Sequence, residues 1–265
     1  ISYFYNNLMN NNIAILISGG IRLHKENKFF LHKIFENYKI SIISSVWENQ
    51  ANEIEFKKLY ELNYLKNIKL QNWDKEISNI KYVTGEENRS YKTVNIFHMW
   101  HSIVENIKYL KDLSENNDMQ FDYVCRFRSD IISESENNFL DKELKKLKEN
   151  EVLFPINFHN RGLNDLFFIA KYKTFLKFEN MIEYINIFIN EERPMNPEYL
   201  FYCFIKKNNF KIKLIDNMQI DILDSHKKTH DNYELKPTKK AHIPFKDKIN
   251  LKIIKYKIRI LKIIK

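Results

Sequence analysis

Blocks of apolar and mixed residues alternate along the chain and predict strands and helices in turn. Short continuous apolar runs are typical of strands buried on both faces of a sheet. They occupy residues 13–18, 39–47, 80–84, 121–127, 152–154, 166–170 and 210–215. Helical patterns fill the segments between them, at residues 28–38, 50–66, 91–113, 139–149, 172–189 and 197–208. This alternation predicts an α/β fold with a mostly parallel central sheet flanked by helices.

Composition narrows the class of protein. The chain has 265 residues, 44% of them hydrophobic, so it can bury a sizeable core and is not a disordered chain. The chain has only four glycines and five prolines, which argues against an all-β sandwich with many tight turns.

Cys125 and Cys203 lie in apolar runs, so we predict buried free thiols rather than a disulfide or a zinc site. With no visible secretory signal and no long apolar run, we expect a soluble protein in a reducing compartment.

The positive charge is concentrated at the C-terminus. Of the net charge of +9, residues 246–265 carry +7, from eight Lys or Arg and one Asp. The remaining body is nearly neutral, which disfavours nucleic-acid binding. We therefore predict one domain at residues 1–245 and a basic amphipathic helix at residues 246–265 that lies on an anionic membrane surface. A helix packed on the domain or on a partner subunit is the alternative.

The first candidate site follows the first predicted strand. Ser18 is followed by Gly19 and Gly20, which would let a nucleotide approach the backbone, and by Arg22, which could pair with a diphosphate. Neither a GxGxxG nor a Walker pattern is present, which disfavours a dinucleotide-binding dehydrogenase and a P-loop enzyme. A tight turn with a solvated arginine is the alternative.

The second candidate site is the stretch FDYVCRFRSD, residues 121–130. Strand alternation places Arg126 and Arg128 on one face, where buried arginines need partners, and Asp122 and Asp130 are the obvious ones. Asp130 ends the strand, where a carboxylate can bind Mg²⁺ or Mn²⁺ and so hold a nucleotide diphosphate. A structural ion pair between Asp130 and an arginine is the alternative.

Two further segments carry polar residues next to predicted elements. Asn164 and Asp165 precede an apolar strand, and Asp165 could act as a base toward an acceptor hydroxyl, although an Asx turn is the alternative. Asn196, Pro197 and Glu198 are typical of a helix start, so Glu198 is expected to be structural.

As an ordered set, these segments resemble the WavE-type lipopolysaccharide-synthesis and capsule glycosyltransferases. The set is SGGIR, SSVW, FDYVCRFRSD, LNDLFFIA and NPEYLF, within residues 13–216. The resemblance implies a GT-A-like fold in which Asp130 contacts the metal or donor diphosphate, Arg128 organises Asp130, and Asp165 faces the sugar or acceptor. Donor contacts are expected from Gly19, Gly20, Arg22 and Asn164. The chain departs from the usual DxD motif because position 128 is not acidic.

The function implied by this resemblance is that of a bacterial, hexosyltransferase-like glycosyltransferase. It would transfer a sugar from a nucleoside diphosphate sugar, with Mn²⁺ or Mg²⁺, to a hydroxyl of a lipopolysaccharide, lipooligosaccharide or capsule glycan. We expect a cytoplasmic, peripheral location at the inner membrane.

One alternative function is that of a nucleotidyl- or phospho-transferase, which predicts more than one essential carboxylate near Asp130. Another is a non-catalytic membrane-associated scaffold, which predicts no nucleotide binding.

Overall fold

A seven-stranded sheet forms the centre of the molecule. The computed structural model describes residues 11–48, 52–69, 71–80, 90–133, 138–156, 162–215, 218–222 and 252–253. The strands stand in the order β3-β2-β1-β4-β7-β6-β8. They are β1 (Asn12–Ser18), β2 (Lys39–Trp47), β3 (Tyr64–Ile68), β4 (Tyr123–Phe127), β6 (Glu151–Pro155), β7 (Phe167–Lys171) and β8 (Lys211–Ile215). A separate two-stranded sheet pairs β5 (Ile131–Ile132) with β9 (Asp221–Ile222).

Helices cover both faces of the sheet. They are α1 (Lys25–Ile34), α2 (Glu53–Tyr60), α3 (Asp74–Ser78), α4 (Ser90–Asn116), α5 (Asn138–Lys146), α6 (Tyr172–Leu176), α7 (Met181–Asn190) and α8 (Pro197–Lys207). Helices α1, α2 and α5 pack on one face, and α4, α6, α7 and α8 pack on the other. A 3₁₀ helix (Lys177–Asn180) joins α6 to α7.

Strand alternation divides the core between these two faces. In β1, Ile13, Ile15 and Ile17 point into the cluster under α1 and α2, whereas Ala14 and Leu16 point into the cluster under α4. All five side chains are at most 2% exposed. Burial on both faces explains why β1 reads as a continuous apolar run.

The strand directions decide which residues meet at one edge. Strands β3, β2, β1, β4, β6 and β8 run the same way, and β7 runs against them. The ends of β1 and β4 therefore lie at the same edge as the beginning of β7. We call this the C-terminal edge, and it is where open parallel sheets bind ligands.

The predicted α/β fold with a mostly parallel sheet flanked by helices is confirmed. The predicted helix at residues 50–66 is wrong in its second half, where β3 begins at Tyr64. The helix ends because Glu61 adopts the left-handed conformation (φ 51°), and the chain then turns to pair with β2. The predicted helix at residues 172–189 is divided into α6, the 3₁₀ helix and α7.

Several predictions lie outside the described residues. These are the strand beyond residue 80 and, except for residues 252–253, the basic helix at 246–265. Among the described helices, none is long and apolar enough to cross a membrane. Cys125 and Cys203 are buried free thiols, as predicted.

The cluster of phenylalanine rings around Phe178, packed under α8, should contribute strongly to the free energy of unfolding. Phe178 is fully buried, and its ring lies 5.2–5.7 Å from five other phenylalanine rings, those of Phe168, Phe175, Phe201, Phe204 and Phe210. Phe178→Ala is expected to lower the free energy of unfolding by about 3–5 kcal/mol because it leaves a cavity that these rings cannot fill. Urea denaturation monitored by circular dichroism measures the change.

Phe29 provides the matched control, since its side chain is 71% exposed. Phe29→Ala should change the free energy of unfolding by no more than about 0.5 kcal/mol. Similar losses for the two variants would contradict this assignment of the core.

Candidate functional site

Asp130 is the carboxylate around which the C-terminal edge is organised. It lies three residues after the end of β4, and its side chain is fully buried. Its Oδ1 accepts a hydrogen bond from Nε of Arg128 at 2.5 Å, and its Oδ2 accepts one from Nη2 of Arg128 at 2.7 Å. Nη1 of Arg22, from the turn after β1, donates to the same Oδ2. Both oxygens of Asp130 are therefore bound by guanidinium groups, and the Arg128 pair has the two-pronged geometry that makes such bonds strong.

Arg126 adds a third guanidinium to this edge. Its side chain is 1% exposed, and Nη1 donates to the carbonyl of Phe127 at 2.7 Å. Its Nε is buried and has no hydrogen-bond partner. Burial and the charge of Arg128 lower the pKa of Arg126 to about 9, so it still carries its charge at neutral pH. We call Arg22, Arg126 and Arg128 the arginine cluster.

Asp165 is the second buried carboxylate at this edge. It precedes β7, and because β7 is antiparallel its beginning lies beside the end of β4. Asp165 is 6% exposed. Burial raises the pKa of its carboxyl group, and the charges of Arg128 and Arg126 partly offset that effect. A raised pKa makes the ionised carboxylate a better proton acceptor than an ordinary aspartate.

The prediction that Asp122 pairs with the strand arginines is wrong. Asp122 precedes β4, lies at the opposite edge of the sheet and is exposed. Its Oδ2 accepts a hydrogen bond from the backbone N–H of Asn12 at 2.9 Å. Arg128 pairs with Asp130, the other predicted partner, and the charge of Asp165 acts on both Arg126 and Arg128.

The segment before Asp165 is fixed by a turn and by α8. Asn164 is buried, and its Oδ1 accepts hydrogen bonds from the backbone N–H groups of Leu166 (2.8 Å) and Phe167 (3.2 Å). Asn164 thus forms the Asx turn that was the structural alternative for this segment. Gly162 lies against the backbone of Glu198 so closely that a side chain there would clash with it. Both features position Asp165, and Asn164 stays a predicted donor contact.

The predicted helix start at Asn196 is confirmed. The Oδ1 of Asn196 accepts a hydrogen bond from the N–H of Tyr199 at 3.0 Å, with Pro197 in the first turn. The carbonyl of Glu198 accepts a hydrogen bond from the N–H of Leu163 at 3.0 Å. The first turn of α8 therefore supports the segment that carries Asp165.

The turn after β1 leaves open space in front of its backbone. Gly19 has a φ of 108°, a conformation that favours glycine. A Cβ placed on Gly19 or on Gly20 would meet no heavy atom within 4 Å. The space predicted from the two glycines is therefore present beside Arg22.

Two residues that the sequence did not single out hold the turn containing Asp130. The amide nitrogen of Asn27 donates to the carbonyls of Arg128 (3.2 Å) and Ile131. The hydroxyl of Tyr60 lies 2.7 Å from Oδ1 of Asn27 and 3.2 Å from the carbonyl oxygen of Ser129, so its single proton is shared between these two acceptors. Asn27 and Tyr60 lie on α1 and α2 at no recognisable spacing from Asp130, so only the tertiary structure reveals their role.

Three buried polar atoms at the ends of β1 and β2 were also missed. Ser18 and Ser45 stand opposite each other in the parallel pairing. Their hydroxyl oxygens and Oδ1 of Asn106 are buried and have no hydrogen-bond partner. Such groups are expected to bind water or a ligand, because leaving them unpaired is costly. Ser18 and Ser45 belong to the SGGIR and SSVW segments, but nothing in the sequence indicated that their hydroxyl groups lack partners.

The environment of Asp130 does not fit a divalent cation. Mg²⁺ and Mn²⁺ bind carboxylate lone pairs, and three of the roughly four lone-pair sites of Asp130 already accept hydrogen bonds from arginines. Within the described ranges, no group of three or more His, Cys, Asp or Glu side chains could hold a metal ion. A cation beside Asp130 would also face the positive charges of Arg22 and Arg128.

Tyr60→Phe should weaken the turn that carries Asp130. The substitution removes a buried hydroxyl and leaves Oδ1 of Asn27 and the carbonyl of Ser129 without this donor. We expect a loss of about 1–3 kcal/mol in the free energy of unfolding, measured by urea denaturation. The control is Tyr64→Phe, whose hydroxyl donates to the weak acceptor Sδ of Met119 at 3.2 Å. Equal losses for both variants would show that the Tyr60 bonds do not stabilise the turn.

Comparison with known proteins gives structural similarities only. No protein-family model matches the chain, and no curated protein matches it. Among solved structures, the glycosyltransferase GlyE of Streptococcus pneumoniae is 12% identical with a TM-score of 0.46, over 77% of this chain and 45% of that one. Mouse xyloside xylosyltransferase 1 is 8% identical with a TM-score of 0.39, over 77% and 84% of the two chains.

A nucleotidyl-type enzyme is similar to the same degree. The 4-diphosphocytidyl-2C-methyl-D-erythritol synthase of Anaerococcus prevotii is 12% identical with a TM-score of 0.40, over 77% of this chain and 86% of that one. At identities and TM-scores this low, none of these similarities assigns an activity to the chain.

Proposed function

We propose that this chain is a sugar transferase that binds a nucleoside diphosphate sugar at the C-terminal edge and transfers the sugar to a hydroxyl acceptor. The observation that supports this most directly is the charge of the site. Among the described residues, the three guanidinium groups of the arginine cluster face two carboxylates, Asp130 and Asp165. Within that described set the positive charges exceed the negative ones by one, and an anionic ligand such as a diphosphate would balance the excess.

The turn at Gly19 and Gly20 suits the diphosphate for a geometric reason. Its backbone faces open space, so phosphate oxygens can approach the main chain without meeting a side chain. Arg22 leaves this turn with its side chain 33% exposed, within reach of the same space. The donor diphosphate is therefore proposed to lie between the glycine turn and Arg22.

Asp165 is proposed as the base that takes the proton from the acceptor hydroxyl. Its carboxyl group has a raised pKa because it is buried, and it lies in the field of Arg126 and Arg128. Those arginines would also stabilise negative charge that develops on the leaving diphosphate. Proton removal and leaving-group stabilisation are thus assigned to neighbouring groups of the protein.

The acceptor and the location remain proposals that rest on the sequence. The resemblance to lipopolysaccharide and capsule transferases favours a bacterial glycan acceptor, and the basic segment at 246–265 favours attachment to an anionic membrane. A lipid-linked acceptor at the inner membrane would suit both features.

Asp165→Asn should abolish transfer while the donor still binds. Loss of a general base is expected to lower kcat by about 10²–10⁴-fold. Wild-type activity should fall as the pH is lowered through the raised pKa of Asp165, because only the ionised carboxylate accepts a proton. The assay measures release of nucleoside diphosphate from UDP-, GDP- and CDP-sugars over a pH series, with an acceptor extract.

Asp122→Asn is the matched control for this variant. It removes an exposed carboxylate next to the same strand, at the opposite edge of the sheet, and should leave kcat and its pH profile unchanged. Full activity in Asp165→Asn would refute the assignment of the base. Release of nucleoside monophosphate or pyrophosphate would instead indicate a nucleotidyl- or phospho-transferase. Absence of both turnover and nucleotide binding would favour the scaffold.

A further inference from the structure

We propose that the arginine cluster replaces a divalent cation in this site, so that a nucleoside diphosphate binds without metal and Arg22 moves from Asp130 to the diphosphate. This inference rests on the proposed function, because it concerns how that donor is held. It assigns Asp130 to holding arginines, in place of the metal-ligand role implied by the resemblance.

The first step concerns the oxygens of Asp130. Arg128 occupies both of them with two hydrogen bonds, and Arg22 shares Oδ2. These bonds use three of the roughly four lone-pair sites of the carboxylate, so a metal ion at the remaining site on Oδ1 would lie beside two guanidinium groups. Such binding is opposed by like-charge repulsion in a buried environment.

The second step concerns what an anion would gain. A guanidinium group presents N–H donors in a fork that matches two phosphate oxygens, and it keeps its charge at neutral pH. Arg126 lies behind this site with a buried Nε that has no partner. The positive charge that a metal would supply to a diphosphate is therefore already present in the protein.

The third step identifies Arg22 as the group that moves. Arg128 makes two hydrogen bonds to Asp130, so the carboxylate stays paired if Arg22 leaves. Arg22 is on the turn beside Gly19 and Gly20, where the backbone faces open space. Of the two arginines bound to Asp130, its side chain is also the more exposed, at 33% against 24%.

The test is calorimetric titration of the full chain with UDP, GDP and CDP, in EDTA and again with Mn²⁺. Wild-type protein should bind one of these diphosphates in EDTA with an affinity that Mn²⁺ changes little. Arg22→Met should weaken that binding by about 10- to 100-fold, the loss of one charge-assisted contact. Arg22→Lys keeps the positive charge but lacks the forked N–H donors of a guanidinium group. Its affinity for the diphosphate should therefore lie between those of the wild type and Arg22→Met.

Arg193→Met is the matched control. Arg193 lies between α7 and α8 with its side chain 37% exposed, pairs with Glu191 at 2.7 Å, and is absent from the described contacts of Asp130. The Arg193→Met variant should bind the diphosphate with the affinity of the wild type. Thermal unfolding of each variant shows whether the fold is kept, and Arg22→Lys serves if Arg22→Met does not fold.

Each outcome separates this inference from the proposed function. Binding that requires Mn²⁺ would overturn the inference and leave the proposed function standing. Equal affinities for the Arg22 and Arg193 variants in EDTA would overturn the role of Arg22. No binding of any diphosphate in either buffer would contradict the proposed function, and the inference with it.

Discussion

The paired contact between Asp130 and Arg128 is the interaction on which the rest of the site depends. It closes the end of β4 and fixes the turn from which β5 begins. A buried carboxylate without such a partner would be strongly destabilising, and so would a buried guanidinium. The bonds from Asn27 and Tyr60 to the same turn hold its backbone in place while the side chains are paired.

The antiparallel strand β7 gives this edge its second carboxylate. In a wholly parallel sheet, the residues before a strand lie at the edge opposite the ligand site. Because β7 is reversed between β4 and β6, Asp165 lies beside Arg126 and Arg128 instead. Gly162 and the first turn of α8 then fix the segment that carries it. One strand reversal thus brings together the groups proposed to hold the donor and to remove the proton.

The sequence predicted strands such as β1, β4 and β7 well because they are apolar runs buried on both faces, whereas it missed β3, which is only partly buried. It also singled out Arg22, Arg128, Asp130 and Asp165, which the structure brings together at one edge of the sheet. It could not predict that Arg22 pairs with Asp130, since these residues are 108 positions apart and meet only through the strand order. It assigned Asp122 to the arginines because alternation predicts which side chains share a face of a strand. Alternation does not predict at which edge of the sheet a residue lies. No local sequence pattern indicates that Asn27 and Tyr60 hold the turn containing Asp130.

The central claim is that the C-terminal edge around Asp130 is the donor site. Hydrogen–deuterium exchange, with and without a saturating amount of whichever of UDP, GDP or CDP binds, tests it most directly. The account predicts slower exchange confined to residues 18–22 and 127–132 and to the strand ends beside them. Protection that appears instead around α7 and α8, with no change in those two segments, would contradict it.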